Sequence, residues 1–143
     1  MKHLLLAFAL LWPAAAMAET LPAMTVWKSP TCGCCGNWVA HMRAAGFKVE
    51  TRDVEDMDMV KTQLGMPEKL QSCHTATIAG YLVEGHVPAA DVKRLLAEKP
   101  AVTGLAVPGM PSGSPGMENG YKDPYSVLSF DRDGGTKVFS DHR

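Results

Sequence analysis

Three of the four cysteines fall in one five-residue window, Cys32-Gly33-Cys34-Cys35-Gly36, and the fourth, Cys73, is followed at once by His74. Cys32 and Cys35 have the C-x-x-C spacing of a dithiol/disulfide couple. Cys34 is a third thiol that such a couple does not need. Three thiolates at one turn make a soft, electron-rich donor set, of the kind that selects Cu(I), zinc or an iron–sulfur centre. The window therefore reads as a redox dithiol, a metal site, or both. Two structural bridges are the default for four cysteines in an exported chain. The crowding argues against them, because Cys34 and Cys35 are adjacent and such close cysteines are hard to share among long-range staples.

Other side chains could complete the site. Cys73 is a candidate metal ligand, or the disulfide partner of a window cysteine. His74 is a weaker candidate, since in an extended strand it would point away from Cys73. His86 is a candidate ligand, weighed against an exposed loop histidine. Met110 and Met117 are candidate thioether ligands, or a lid over the cysteines. The other methionines fit packing better: Met42 lies two helical turns past Cys35, roughly 10 Å along the axis. His142 reads as a frayed surface group. Asp53, Glu55, Asp56 and Asp58 read as a solvated helix start.

The elements that must position these groups follow from pattern and punctuation. Met24 to Lys28 alternates as a strand, and Ser29-Pro30-Thr31 breaks it. Asn37 to Ala45 reads as a helix with Trp38, Val39 and Met42 on its buried face and Gly46 as its stop. Phe47 to Val54 reads as a strand and Glu55 to Leu64 as a short helix. Thr75 to Ile78 and Tyr81 to Glu84 form a hairpin about Ala79-Gly80. Pro88 opens a helix over Ala89 to Glu98, and Pro100 ends it. The order β-α-β-α-β-β-α predicts an α/β, thioredoxin-like fold, with the first two strands parallel. The cysteines then sit where a strand feeds a helix N-terminus, whose free N–H groups and dipole favour thiolate. Beyond Pro100 the segment from Val107 to Gly120, rich in Gly, Pro, Ser and Met, reads as a flexible linker or a functional loop. A hairpin closes the chain, with Tyr125 to Phe130 as one strand and Thr136 to Phe139 as the other.

The first 18 residues have the form of an export leader: Lys2 and His3, an apolar run from Leu4 to Trp12, then Ala16-Met17-Ala18 before Glu19. That run is shorter than the ~20 residues needed to span a bilayer, so no membrane insertion is expected. Three regions follow: a signal peptide at 1–18, a thioredoxin-like domain at 19–100, and a C-terminal extension at 101–143 that folds back on the site. The formal charge is −1, which gives no support for nucleic-acid binding, since that favours a basic stripe. The chain is expected to act as a monomer.

Four stretches carry a resemblance to a known family: Cys32-Gly33-Cys34-Cys35, Ser72-Cys73-His74-Thr75-Ala76, Val83-Glu84-Gly85-His86-Val87-Pro88-Ala89, and Gly104 to Pro111 running on through Gly113 to Glu118. In them the chain resembles the CopG-type copper-resistance proteins. The resemblance implies a periplasmic thioredoxin-like domain holding several copper ions beside the C-x-C-C turn through bridging sulfurs. It implies a role in copper resistance, interconverting Cu(I) and Cu(II) near efflux components. Cys32 and Cys35 would then be the redox pair and Cys32, Cys34, Cys35 and Cys73 the copper-holding sulfurs, to which the reading of the residues adds His86, Met110 and Met117 as candidate metal ligands. Thioredoxins place a cis-proline opposite the dithiol; here Ala76 aligns with it, which predicts open space over the thiols and poorer grip on a disulfide substrate. Two other functions stay in view: a thiol–disulfide oxidoreductase without native metal, and a non-catalytic copper chaperone or buffer.

Overall fold

The computed structural model describes residues 20–143, so the expected leader lies outside the described residues. Strand β1 (Met24–Lys28) leads into helix α1 (Gly33–Ala44), which crosses over to β2 (Val49–Asp53), parallel to β1. Helix α2 (Met57–Leu64) and a 3₁₀ turn at Glu68–Leu70 lead to β3 (Thr75–Ile78), antiparallel to β1 and joined as a hairpin to β4 (Tyr81–Glu84). Helix α3 (Ala89–Glu98) crosses over to β5 (Gly104–Ala106), parallel to β4. Strands β6 (Tyr125–Phe130) and β7 (Thr136–His142) form the closing hairpin, and β6 pairs with β5. One seven-stranded sheet results, in the order β2-β1-β3-β4-β5-β6-β7. Its first four strands and the helices make the expected thioredoxin-like α/β unit, and the segment after Pro100 extends the same sheet.

The expected strands β1, β3 and β4 and helix α3 have the bounds read from the sequence. Helix α1 begins earlier than expected. Cys32 is its N-cap, with Sγ accepting the Cys35 N–H, so Cys34 and Cys35 lie within its first turn. Strand β5 was not expected. Its three residues are too few to show a period, and Gly-Leu-Ala has little strand propensity. Packing places it there: Leu105 and Ala106 are fully buried. A side chain at Gly104 would collide with the Leu82 backbone carbonyl, so only glycine lets β5 pair this closely with β4.

The main core joins Met24 and Val26 of β1, Trp38 and Met42 of α1, Ala76 and Ile78 of β3, Val92 and Leu95 of α3, and Leu105 and Val127 from beyond Pro100. Met42 is a core residue, as its distance from the cysteines predicted. A smaller cluster of Met66, Leu70, Leu82, Ala106 and Phe130 packs separately. Among the described residues, no helix is long and apolar enough to cross a membrane.

Candidate metal and thiol centre

The sulfurs of Cys32, Cys34, Cys35 and Cys73 lie within 4.8 Å of one another. The β1–α1 corner brings three of them there, and the bend before β3 brings the fourth. Cys32 and Cys35 are joined as a disulfide, while Cys34 and Cys73 are free thiols. The Cys34 thiol donates to Cys32 Sγ across 3.5 Å. No carboxylate belongs to this group. Its donor set is all sulfur, and in the disulfide state only two of the four sulfurs can become thiolates.

A second group overlaps the first at Cys73. The donor atoms of Cys73, His74 and His86 also lie within 4.8 Å of one another. Cys73 Sγ is 3.1 Å from His86 Nε2 and 3.4 Å from His74 Nδ1. The expectation that His74 points away from Cys73 is therefore wrong. Cys73 sits at a bend just before β3 begins, so strand alternation does not apply and neighbouring side chains converge. His74 is fully buried, tilted against the Trp38 ring at 4.4 Å and meeting His86 edge-on at 5.1 Å. Its Nε2 has no hydrogen-bond partner. His86 is also buried, not an exposed loop residue. Its Nδ1 faces the Pro115 carbonyl at 2.8 Å. An oxygen there can only accept, so Nδ1 carries the proton and Nε2 presents its lone pair to Cys73.

Burial sets the protonation states. It pushes the His74 imidazole down to about 3, with His86 and Lys61 acting in the same direction, and it also lowers His86. It raises the Cys73 thiol to about 11, and Cys34 beside it adds to the rise. Both imidazoles are thus neutral at pH 7, and Cys73 holds its proton until something displaces it.

The segment Val107 to Gly120 is a folded loop, not a linker. Gly113 N–H donates to the Met117 carbonyl at 3.0 Å, Met117 N–H to Ser114 at 2.8 Å, and Ser112 N–H to Asp123 at 3.1 Å. Ser72 Oγ donates to the Gly109 carbonyl at 2.6 Å, beside Cys73. Gly116, at φ +87°, lies so close to α1 that an added Cβ would stand 2.7 Å from the Cys34 carbonyl and 2.8 Å from Trp38 N. The loop straps the cysteine-bearing turn through its backbone. Of its two thioethers, Met110 is 53% exposed and Met117 half-buried.

Residue typing missed the group that holds the Cys73 bend. Lys61 of α2 and Glu84 of β4 are a buried pair at 2.5 Å. Thr75 Oγ1 accepts from Lys61 at 2.8 Å and donates to Glu84 at 2.6 Å. Glu84 also accepts the Ser72 N–H at 2.6 Å. The only sequence signal was that each charge directly follows a valine, Val60 or Val83. Three further residues find their places. Ala76 belongs to the hydrophobic core, and the side chain that joins the dithiol from this segment is Cys73. His142 is not frayed: its Nε2 lies 2.8 Å from Asp91 Oδ2, and its ring stacks on Tyr125. His41 accepts the Ala89 N–H at 3.1 Å, which places it at the start of α3.

Residues 70–117 match the model of a family described as a protein of unknown function, DUF411. No curated protein matches the chain in sequence. Two solved structures match along nearly their whole length. Copper resistance protein CopG in Form 1 is 45% identical, covering 85% of this chain and 98% of that one, with a TM-score of 0.79. The same protein in Form 2 is 46% identical, covering 87% of this chain and all of that one, with a TM-score of 0.81.

Proposed function

Because the chain belongs to the CopG copper-resistance protein family, we propose that it binds copper at the cysteine cluster and interconverts Cu(I) and Cu(II) in copper resistance. The observation that supports this most is the meeting of four sulfurs from two distant segments within 4.8 Å. An all-sulfur group fits Cu(I), which favours soft ligands over carboxylate and water. Cys32, Cys34, Cys35 and Cys73 hold the ions in the reduced protein, and thiolates that bridge let one chain take several. His86 offers an imidazole lone pair, and Met110 and Met117 offer thioethers from the covering loop. Export by residues 1–18 would place the protein in the periplasm, where it would work as a monomer beside efflux components.

Copper here is the substrate. Two Cu(II) ions each accept one electron from the Cys32 and Cys35 thiolates, giving two Cu(I) and the Cys32–Cys35 disulfide. The reverse direction needs two Cu(I) and returns the dithiol. The disulfide in the structure corresponds to the oxidised end of that couple.

Anaerobic loading of the fully reduced protein with Cu(I) tests this. More than one copper per chain is expected, falling sharply in Cys34→Ser; one zinc and no copper uptake would sink the reading. The Met110→Leu/Met117→Leu double variant tests the thioethers, with weaker copper retention expected. The proximity of Cys34 to the Cys32–Cys35 disulfide also favours a second reading, thiol–disulfide exchange without metal. That reading requires reduction of a model disulfide substrate in the presence of a copper and zinc chelator. A chaperone or buffer would bind Cu(I) with no change in thiol count on exposure to Cu(II).

A further inference from the structure

The two donor groups share Cys73 but differ in chemistry. One is four sulfurs; the other is one sulfur and two imidazoles. Forming the Cys32–Cys35 disulfide removes half of the first group and none of the second. From this geometry we infer that Cys73, His74 and His86 form a distinct mononuclear site that holds a divalent ion, Cu(II), while Cys32 and Cys35 are oxidised. The inference rests on the copper reading above and refines it: Cu(I) belongs to the sulfur cluster and Cu(II) to the Cys-His-His triad.

Three observations carry it. The first is spacing. Metal–sulfur and metal–nitrogen bonds of about 2.3 and 2.0 Å at a tetrahedral ion place the donor atoms about 3.5 Å apart. Cys73 Sγ already stands 3.1 Å from His86 Nε2 and 3.4 Å from His74 Nδ1, so a small outward shift admits an ion.

The second is the proton count. Cys73 has one S–H and two imidazole nitrogens facing it. One proton can serve only one of them, whereas a cation in its place engages the thiolate and both rings. His86 is set for this by its Nδ1–H···O contact to Pro115, the outer hydrogen bond that commonly orients a metal-binding histidine.

The third is His74 itself. Its ring is fully buried, and the nitrogen it turns toward Cys73 is Nδ1, the unpartnered Nε2 lying on the other side of the ring. A core position would favour an apolar residue unless the ring served something. Two imidazoles and one thiolate are the donor set that suits Cu(II) in trigonal His₂Cys centres.

The experiment uses the disulfide form, verified as having two free thiols per chain, titrated without oxygen with Cu(II) and, as a redox-silent probe, with Co(II). One ion per chain is expected, with an intense sulfur-to-metal charge-transfer band in the visible for Cu(II) and a thiolate–Co(II) band in the near ultraviolet. Cys34→Ser should keep both bands. Cys73→Ser should lose them, and His86→Gln should weaken binding at least tenfold. His74→Gln, checked for folding by near-ultraviolet circular dichroism, should do the same; if it fails to fold, His86→Gln decides.

No thiolate band in the wild-type disulfide form, a band lost in Cys34→Ser, or one indifferent to His86→Gln would each overturn the inference. If such a result came with several Cu(I) ions bound to the reduced protein, the copper reading would survive and only the second site would fall. Failure of the reduced protein to take up Cu(I) would sink the copper reading itself.

Discussion

Replacing Lys61 with methionine leaves the Glu84 carboxylate buried without its countercharge. Glu84 is fully buried, and after the change it keeps only two neutral donors, the Ser72 N–H and the Thr75 hydroxyl. Breaking one side of a buried ion pair costs about 3–5 kcal/mol, a large share of the roughly 5–15 kcal/mol that holds a domain together. With a urea slope near 2 kcal/mol/M, the unfolding midpoint should fall by about 2 M. Removing both charges is a different perturbation. Lys61→Met with Glu84→Leu should return to within about 2 kcal/mol of wild type, because desolvation of the pair largely offsets its attraction. That double variant nevertheless strips the Ser72 N–H of its acceptor, one residue before Cys73. It should therefore retain copper more weakly than wild type despite its recovered stability. The assays are urea unfolding of the metal-free protein and Cu(I) competition with a chelator of known affinity. A loss below 1 kcal/mol in Lys61→Met would refute the electrostatic argument. Wild-type copper retention in the double variant would refute the claim that the pair positions Cys73.

Gly116→Ala places a methyl against the Cys34 carbonyl and Trp38 N at φ +87°; it should destabilise by about 1–3 kcal/mol and loosen the Pro115–His86 contact, read as weaker metal retention. Burial holds His74 near 3, below its usual 6.5, so unfolding takes up a proton between those values. Stability should be full above about pH 6.5 and fall on acidification toward pH 3 by about 1.4 kcal/mol per unit, His86 acting in the same direction; a metal-free thermal midpoint that does not move between pH 6.5 and 5 would contradict this. Cys73, raised to about 11 from 9.0, should be alkylated about 100-fold more slowly at pH 8 than an ordinary thiol of the same exposure, with a rate still climbing above pH 9. Truncation after Pro100 removes Leu105, Val127 and Phe130 from the two cores and uncovers the β4 edge; the shortened chain should lose its cooperative unfolding transition.

Much of the architecture was legible because it is local. Alternation over Met24–Lys28, the Ala79-Gly80 turn between β3 and β4, and Pro88 and Pro100 at either end of α3 each act within a few residues of the element they set. The C-x-C-C window and its place at a strand-to-helix corner were legible for the same reason. Long-range pairing was not. Gly104–Ala106 becomes a strand only because β4 and β6 offer it partners on both sides. His142 looks like a chain-end residue until β7 lays it against Asp91 and Tyr125.

The candidate site divides along the same line. Residue type alone determined that this chain carries soft sulfur donors at a helix start, since that follows from cysteines a few positions apart. Tertiary structure decided which other groups join them. The bend at Cys73 turns His74 inward against the strand pattern, the loop carbonyl of Pro115 sets which nitrogen of His86 is free, and the Lys61–Glu84 pair anchors the bend from two distant elements. Each is a contact between groups far apart in sequence, or a local reversal enforced by such a contact. The amino-acid order names the donors, and only the packed chain aims their lone pairs.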